Sequence, residues 1–140
     1  YMNYVKFISE KFPEFNGANW LIRIPLAIVF IQQGFDKIPL DPSTAELYGL
    51  PNVVWFLVII CEIIAGFGLL FGGIMNFSGL IFSIGDLLTR FSGLIIVTIV
   101  SGVLVISQPE SLLEILLNDQ FHLLLYCGGL FFLLRGNRVK

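Results

Sequence analysis

The sequence predicts an all-α integral membrane protein: a four-helix bundle with an N-terminal interfacial helix and short interfacial helices between the spans. Three observations predict it. Of 140 residues 56% are hydrophobic and only 13% are charged, where soluble domains carry roughly 25%. The mean hydropathy is +0.89. The length admits about four helices of about 20 residues with their loops, enough for one small bundle and one domain over residues 1–140. The net charge of -2 says nothing about nucleic acid, but there is no basic stripe with interleaved aromatics, so no nucleic-acid partner is expected and membrane lipid and other membrane proteins are. Cys61 and Cys127 lie in apolar runs with no Cys-x-x-Cys spacing, and read as small buried hydrophobes, or as a redox pair only if the fold brings them together. No segment resembles a cleavable signal peptide.

The first fifteen residues set Tyr1, Tyr4, Phe7, Phe12 and Phe15 among Lys6, Glu10, Lys11 and Glu14, the pattern of a short helix lying in the headgroup region. Asn16 to Asn19 offers a turn and an N-cap, and Trp20 marks entry into the bilayer. The first span, about 20–35, tolerates Pro25 near its start. Helical spacing puts Arg23, Ala27, Phe30, Gly34 and Lys37 on one stripe, which should face protein. Three prolines and a glycine between Ile38 and Pro51 predict a structured loop, with a helical turn near Ser43 to Tyr48. The second span, about 52–75, holds Glu62 near its middle, with Gly66 and Gly73 on the same face and Gly68 and Gly72 as a small-xxx-small pair.

Between Ile74 and Arg90 the residues Asn76, Ser78, Gly79, Ser83, Gly85 and Asp86 interrupt the apolar pattern, predicting a short interfacial or re-entrant piece. Asp86 and Arg90 have the spacing of a same-face pair; it reads equally as a solvated salt bridge or as a group that positions the bundle. The third span, about 91–106, carries only hydroxyls as polar groups and reads as scaffold. Pro109 to Asp119 is an amphipathic surface helix. The fourth span, about 120–134, has His122 near its start. Lys6, Lys11, Arg90, Arg135, Arg138 and Lys140 fall on one side of the membrane, so the positive-inside rule predicts cytoplasmic termini and an outward-facing proline-rich loop.

An unpaired carboxylate near mid-membrane costs on the order of several kcal/mol, so Glu62 requires a partner. At 1.5 Å per residue Glu62 lies roughly 15 Å below the outer end of its span, Arg23 roughly 20 Å below the end of its own, and Gln33 and Lys37 roughly 0 to 6 Å below. Arg23 is therefore the expected partner. Gln32 or Gln33 fills leftover acceptor positions, and Lys37 and His122 extend a polar track outward. Two readings stand open: an ion pair that fixes helix register, or a functional site of the kind intramembrane ionisable residues mark by default. In the second, Glu62 is the catalytic candidate and Arg23, Gln33, Lys37 and His122 bind substrate. No metal-ligand spacing and no haem, iron-sulfur or flavin signature is visible, so no intrinsic cofactor is expected.

Arg23 with the apolar run into Gln33-Gly-Phe-Asp-Lys37, Gly49-Leu-Pro51, Glu62 leading to Gly66-Phe-Gly-Leu-Leu-Phe-Gly72, Leu88-Thr-Arg-Phe-Ser-Gly-Leu94 and Leu133-Leu-Arg-Gly-Asn-Arg138 together resemble the DoxX family over about residues 20–138. The resemblance implies a small four-helix protein of the bacterial inner membrane. It implies a membrane subunit of a quinone-linked oxidoreductase or redox-stress complex, whose partners bring the redox cofactor and whose polar cluster around Glu62 meets a quinone headgroup or relays a proton. The competing reading is a non-catalytic structural or assembly subunit. A permease is disfavoured by the lack of an internal repeat.

Overall fold

Apolar runs separated by proline and glycine give seven helices in the computed structural model, which describes residues 2–11, 15, 17–76 and 79–138. They are α1 (Met2–Ser9), α2 (Trp20–Asp36), α3 (Pro42–Leu47), α4 (Asn52–Ile74), α5 (Leu80–Ile106), α6 (Leu112–Asn118) and α7 (Gln120–Arg135). Among the described residues there is no strand. α4 and α5 are each long and apolar enough to cross a membrane, at about 35 and 40 Å respectively. α2 and α7, with 17 and 16 residues, flank them, and the chain is a membrane helical bundle.

Local chemistry sets the helix ends. Pro25 sits in the second turn of α2, where its missing N–H removes one bond near the start and not from the middle. Asp41 caps α3 by accepting from the Ser43 N–H at 3.0 Å, with Pro42 at the first helical position; hydrogen bonds from Ser43 hold the Asp41 carboxyl below its ordinary range. Ser111 caps α6 by accepting from the Glu114 N–H, and Glu114 reaches back to the Glu110 N–H. Asp119 then ends α6 and begins α7, where the chain turns by 106°. α1 carries exposed Tyr4, Phe7 and Ile8. The remainder of the stretch read as an interfacial helix lies partly outside the described residues.

One expectation is corrected. The third span does not begin at about 91, after a separate interfacial piece, but continues a single helix from Leu80. Its polar residues are accommodated by partners, not by a break: the Ser83 hydroxyl donates to the Gly79 carbonyl, and Asp86 is buried against Arg90 and the Asn137 N–H. Gly85 meets the Gly72 carbonyl of α4.

α2 packs on α4, α4 on α5 and α5 on α7, with only slight direct contact between α2 and α7. Leu26, Ala27, Phe30, Ala65, Leu69, Ile96, Val100, Leu125 and Phe132 form the buried core, and Ala45, Trp55 and Ile59 form a smaller cluster beneath α3. Leu21, Ile28, Phe67, Phe71, Leu87, Phe91 and Leu124 point outward, as they should where hydrocarbon is the solvent. Close approach of α2 to α4 depends on Gly66, where a Cβ would lie 2.7 Å from the Ala27 carbonyl oxygen. At Gly102 on α5 a Cβ would meet nothing within 4 Å. Gly66→Ala is therefore expected to lower stability by about 1 to 3 kcal/mol through overpacking, and Gly102→Ala to leave it unchanged or raise it by up to about 1 kcal/mol. Thermal unfolding of the two purified variants in detergent checks this, and equal effects would contradict the packing described.

Candidate functional site

Glu62 lies on the α4 face that also carries Trp55, Ile59, Gly66 and Leu69, all buried. Opposite it, Gly34 of α2 backs onto the Ile59 carbonyl and Ile63, and Gly66 onto the Ala27 carbonyl and Ile31. These contacts fix the antiparallel register so that the last turn of α2 ends beside Glu62. Lys37, the C-cap of α2, folds its stem back along that turn. Its ammonium donates to both Glu62 oxygens at 2.7 Å each and to the Gln33 carbonyl at 3.1 Å, using all three of its N–H bonds. The Lys37 side chain is 21% exposed and that of Glu62 3%. The ammonium also sits 5.6 Å from the centre of the Trp55 ring, which stacks on Tyr48 at 5.2 Å. Trp55 also lines a cleft of about 110 Å³ together with Leu40, Asp41, Pro42 and Asn52.

The expected partner of Glu62 was Arg23, and the structure corrects this. The outer ends of α2 and α4 are not level: the glycine contacts set Asp36 near Ile59 or Ile60 of α4. Asn52 to Val58 therefore stand about 10 Å beyond the end of α2, under α3, and Glu62 is level with Gln33. Lys37 is one turn away from it. Arg23 faces Leu69 and Gly73, about 10 Å or more further along α4. Gln33 joins the site through its backbone carbonyl and not its side chain.

Arg23 is fully buried in a second polar layer. Nη1 donates to the Leu69 carbonyl at 2.6 Å and the Thr89 hydroxyl at 3.0 Å, and Nη2 donates to Asn137 Oδ1 at 2.8 Å. The Phe132 ring covers the guanidinium at 4.5 Å. No carboxylate among the described residues comes within 4.0 Å of it, and its Nε has no hydrogen-bond partner. Between the two layers Leu26, Ala27, Phe30, Ala65 and Leu69 fill the interior, so no polar track joins them. His122 belongs to neither: its Nδ1 meets Asp119 at 2.6 Å at the α6–α7 corner. Cys61 is half-buried, and Cys127 is exposed and not buried as expected.

Trp55, Thr89, Asp86 and Asn137 contribute to these layers without having been singled out as site residues. Trp55 had a signal, since positions 55, 59, 62 and 66 share one helical face. Asp86 is buried, so its pair with Arg90, at 2.9 Å, positions the bundle and is not a solvated bridge. Asn137 had only the weak cue of a glycine after the last helix.

Chemically, the Lys37–Glu62 pair offers an ammonium on a partly exposed side chain, backed by a carboxylate that can exchange a proton with it. Residues 18–89 match the profile of the DoxX family, a segment that contains Arg23, Lys37, Glu62, Asp86 and Thr89 but not His122 or Asn137. No curated protein and no solved structure matches the chain. Lys37→Met strands a carboxylate in the bundle and is expected to cost about 3 kcal/mol. Glu62→Gln leaves a partly exposed ammonium that can reach water, and should cost less than half of that. Thermal unfolding of both variants at neutral pH checks the order, and a more damaging Glu62→Gln would contradict it.

Proposed function

The chain belongs to the DoxX family, and from that premise we propose that it is a bacterial inner-membrane subunit of a quinone-linked oxidoreductase or redox-stress complex, contributing a headgroup site at Lys37 and Glu62. The observation that carries this reading is the Lys37–Glu62 pair itself: a carboxylate held inside an apolar bundle by a lysine whose side chain remains 21% exposed. In this reading a quinone carbonyl oxygen accepts a hydrogen bond from Lys37, displacing one of its bonds to Glu62. The stacked rings of Trp55 and Tyr48 offer a flat apolar wall, as headgroup sites require few polar groups among many apolar ones. Reduction takes two electrons, supplied by a partner protein, and two protons, one passed through the Lys37–Glu62 pair and one from water at the surface. With cytoplasmic termini, the site opens on the outer side of the membrane. Arg23 and His122 stand apart from it and are not assigned to the ligand.

A second reading, a structural or assembly subunit, is favoured by one observation: the interior between the two polar layers is filled by apolar side chains. The two readings differ in what they expect of a soluble short-chain quinone. If Lys37 binds the headgroup, titration quenches the fluorescence of Trp55 to saturation in a Trp20→Phe background. Lys37→Met then weakens the apparent affinity about tenfold, the worth of one charge-assisted hydrogen bond. Quenching that does not saturate, or that Lys37→Met leaves unaltered, favours the structural subunit.

A further inference from the structure

The helices that begin and end the bundle, α2 and α7, touch each other far less than α2 touches α4, α4 touches α5 or α5 touches α7. At the Arg23 end their seam is bridged by residues that follow the last helix. Gly136 turns the chain with φ +58, a conformation that disfavours a side chain, in close contact with the Asp86 carboxylate. Asn137 then re-enters the bundle and is only 6% exposed although it lies in no helix. Its backbone N–H donates to Asp86 of α5 at 2.8 Å, and its Nδ2 donates to the Gly72 carbonyl of α4 at 2.6 Å. Its Oδ1 accepts from Arg23 of α2 and from the Thr89 hydroxyl of α5, each at 2.8 Å. One amide thus ties three helices to the end of a fourth.

The same end is clamped from α5. Arg90 donates to the carbonyls of Leu133, Leu134 and Arg135, which are among the last acceptors of α7 and have no partner within their own helix. Asp86 holds Arg90 at 2.9 Å. The strap is therefore anchored on both sides of Gly136, and its inward tip supplies the one acceptor of the Arg23 guanidinium that, among the described residues, comes from outside the helices.

We propose that Gly136-Asn137-Arg138 is a strap that closes the α2/α7 seam over Arg23, and that its release uncovers the guanidinium layer at that end of the bundle. Buried acceptors are scarce for Arg23, so each one lost leaves an ionised donor unsatisfied. The seam consequently closes only when the segment following α7 is in place. The device is independent of the Lys37–Glu62 site, which lies across the apolar core.

The backbone N–H of Asn137, which donates to the buried Asp86 carboxylate, reports on the strap without altering the acceptors of Arg23. In the purified protein that amide should exchange slowly with deuterium. Asn137→Ala is expected to speed the exchange about tenfold or more by raising the population of the open seam, and to lower the melting temperature by about 5 °C or more. Gly102→Ala, on α5 where an added Cβ meets nothing within 4 Å, should retain the slow exchange. Where Asn137→Ala is not recovered folded, Asn137→Ser is read by the same exchange. Unchanged exchange on removal of the side-chain amide, or an equal acceleration in Gly102→Ala, would overturn the strap.

Discussion

An ionised group inside hydrocarbon must find its partner within the protein, and this bundle meets that demand twice, at two depths. Near one end the carboxylate of Glu62 is answered by the ammonium of Lys37. Near the other the guanidinium of Arg23 is answered by neutral oxygens, an aromatic face and an asparagine that follows the last helix. Phe30, Leu69 and their neighbours fill the space between. Because low-dielectric packing makes an unmatched charge so costly, the helices have little freedom to slide: a shift of one turn would strand both charges at once.

Register, in turn, rests on small residues. The close approaches at Gly34 and Gly66 decide which turn of α2 faces which turn of α4, and with that decision the partner of Glu62 is chosen. The pair inherits its asymmetry from the same geometry. α2 stops short of the end of α4, so Lys37 lies at the margin while Glu62 remains inside. A buried carboxylate with a marginal ammonium is a suitable place for a ligand oxygen or a transferred proton. The Arg23 layer, with no exposed member among its direct hydrogen-bond partners, suits structural locking.

Much of the architecture is legible in the sequence because a bilayer imposes long apolar runs, and these lead directly to helices. The helical stripe through Arg23, Ala27, Phe30 and Gly34 does face protein. What escapes is the matching of one helix to another. Gly85 and Asp86 look like interruptions when α5 is read alone, yet each has a partner on α4 or after α7. Arg23 and Glu62 look level only if helix ends are taken as level, and the overhang of Asn52 to Val58 is set by the close approaches at Gly34 and Gly66 across the interface. Asn137 is harder still, because its role exists only when α2, α4 and α5 converge on it.

Membership of the DoxX family and the membrane helical bundle agree with one another, and the assignment of charge to charge is the step on which the rest depends. A double-mutant cycle measures it directly, using the unfolding free energies of Lys37→Met, Arg23→Met, Glu62→Gln and the two pairwise combinations. A coupling of about 1 to 3 kcal/mol between Lys37 and Glu62, with about 0.5 kcal/mol or less between Arg23 and Glu62, is the predicted result. A larger coupling of Glu62 to Arg23 than to Lys37 would contradict the account.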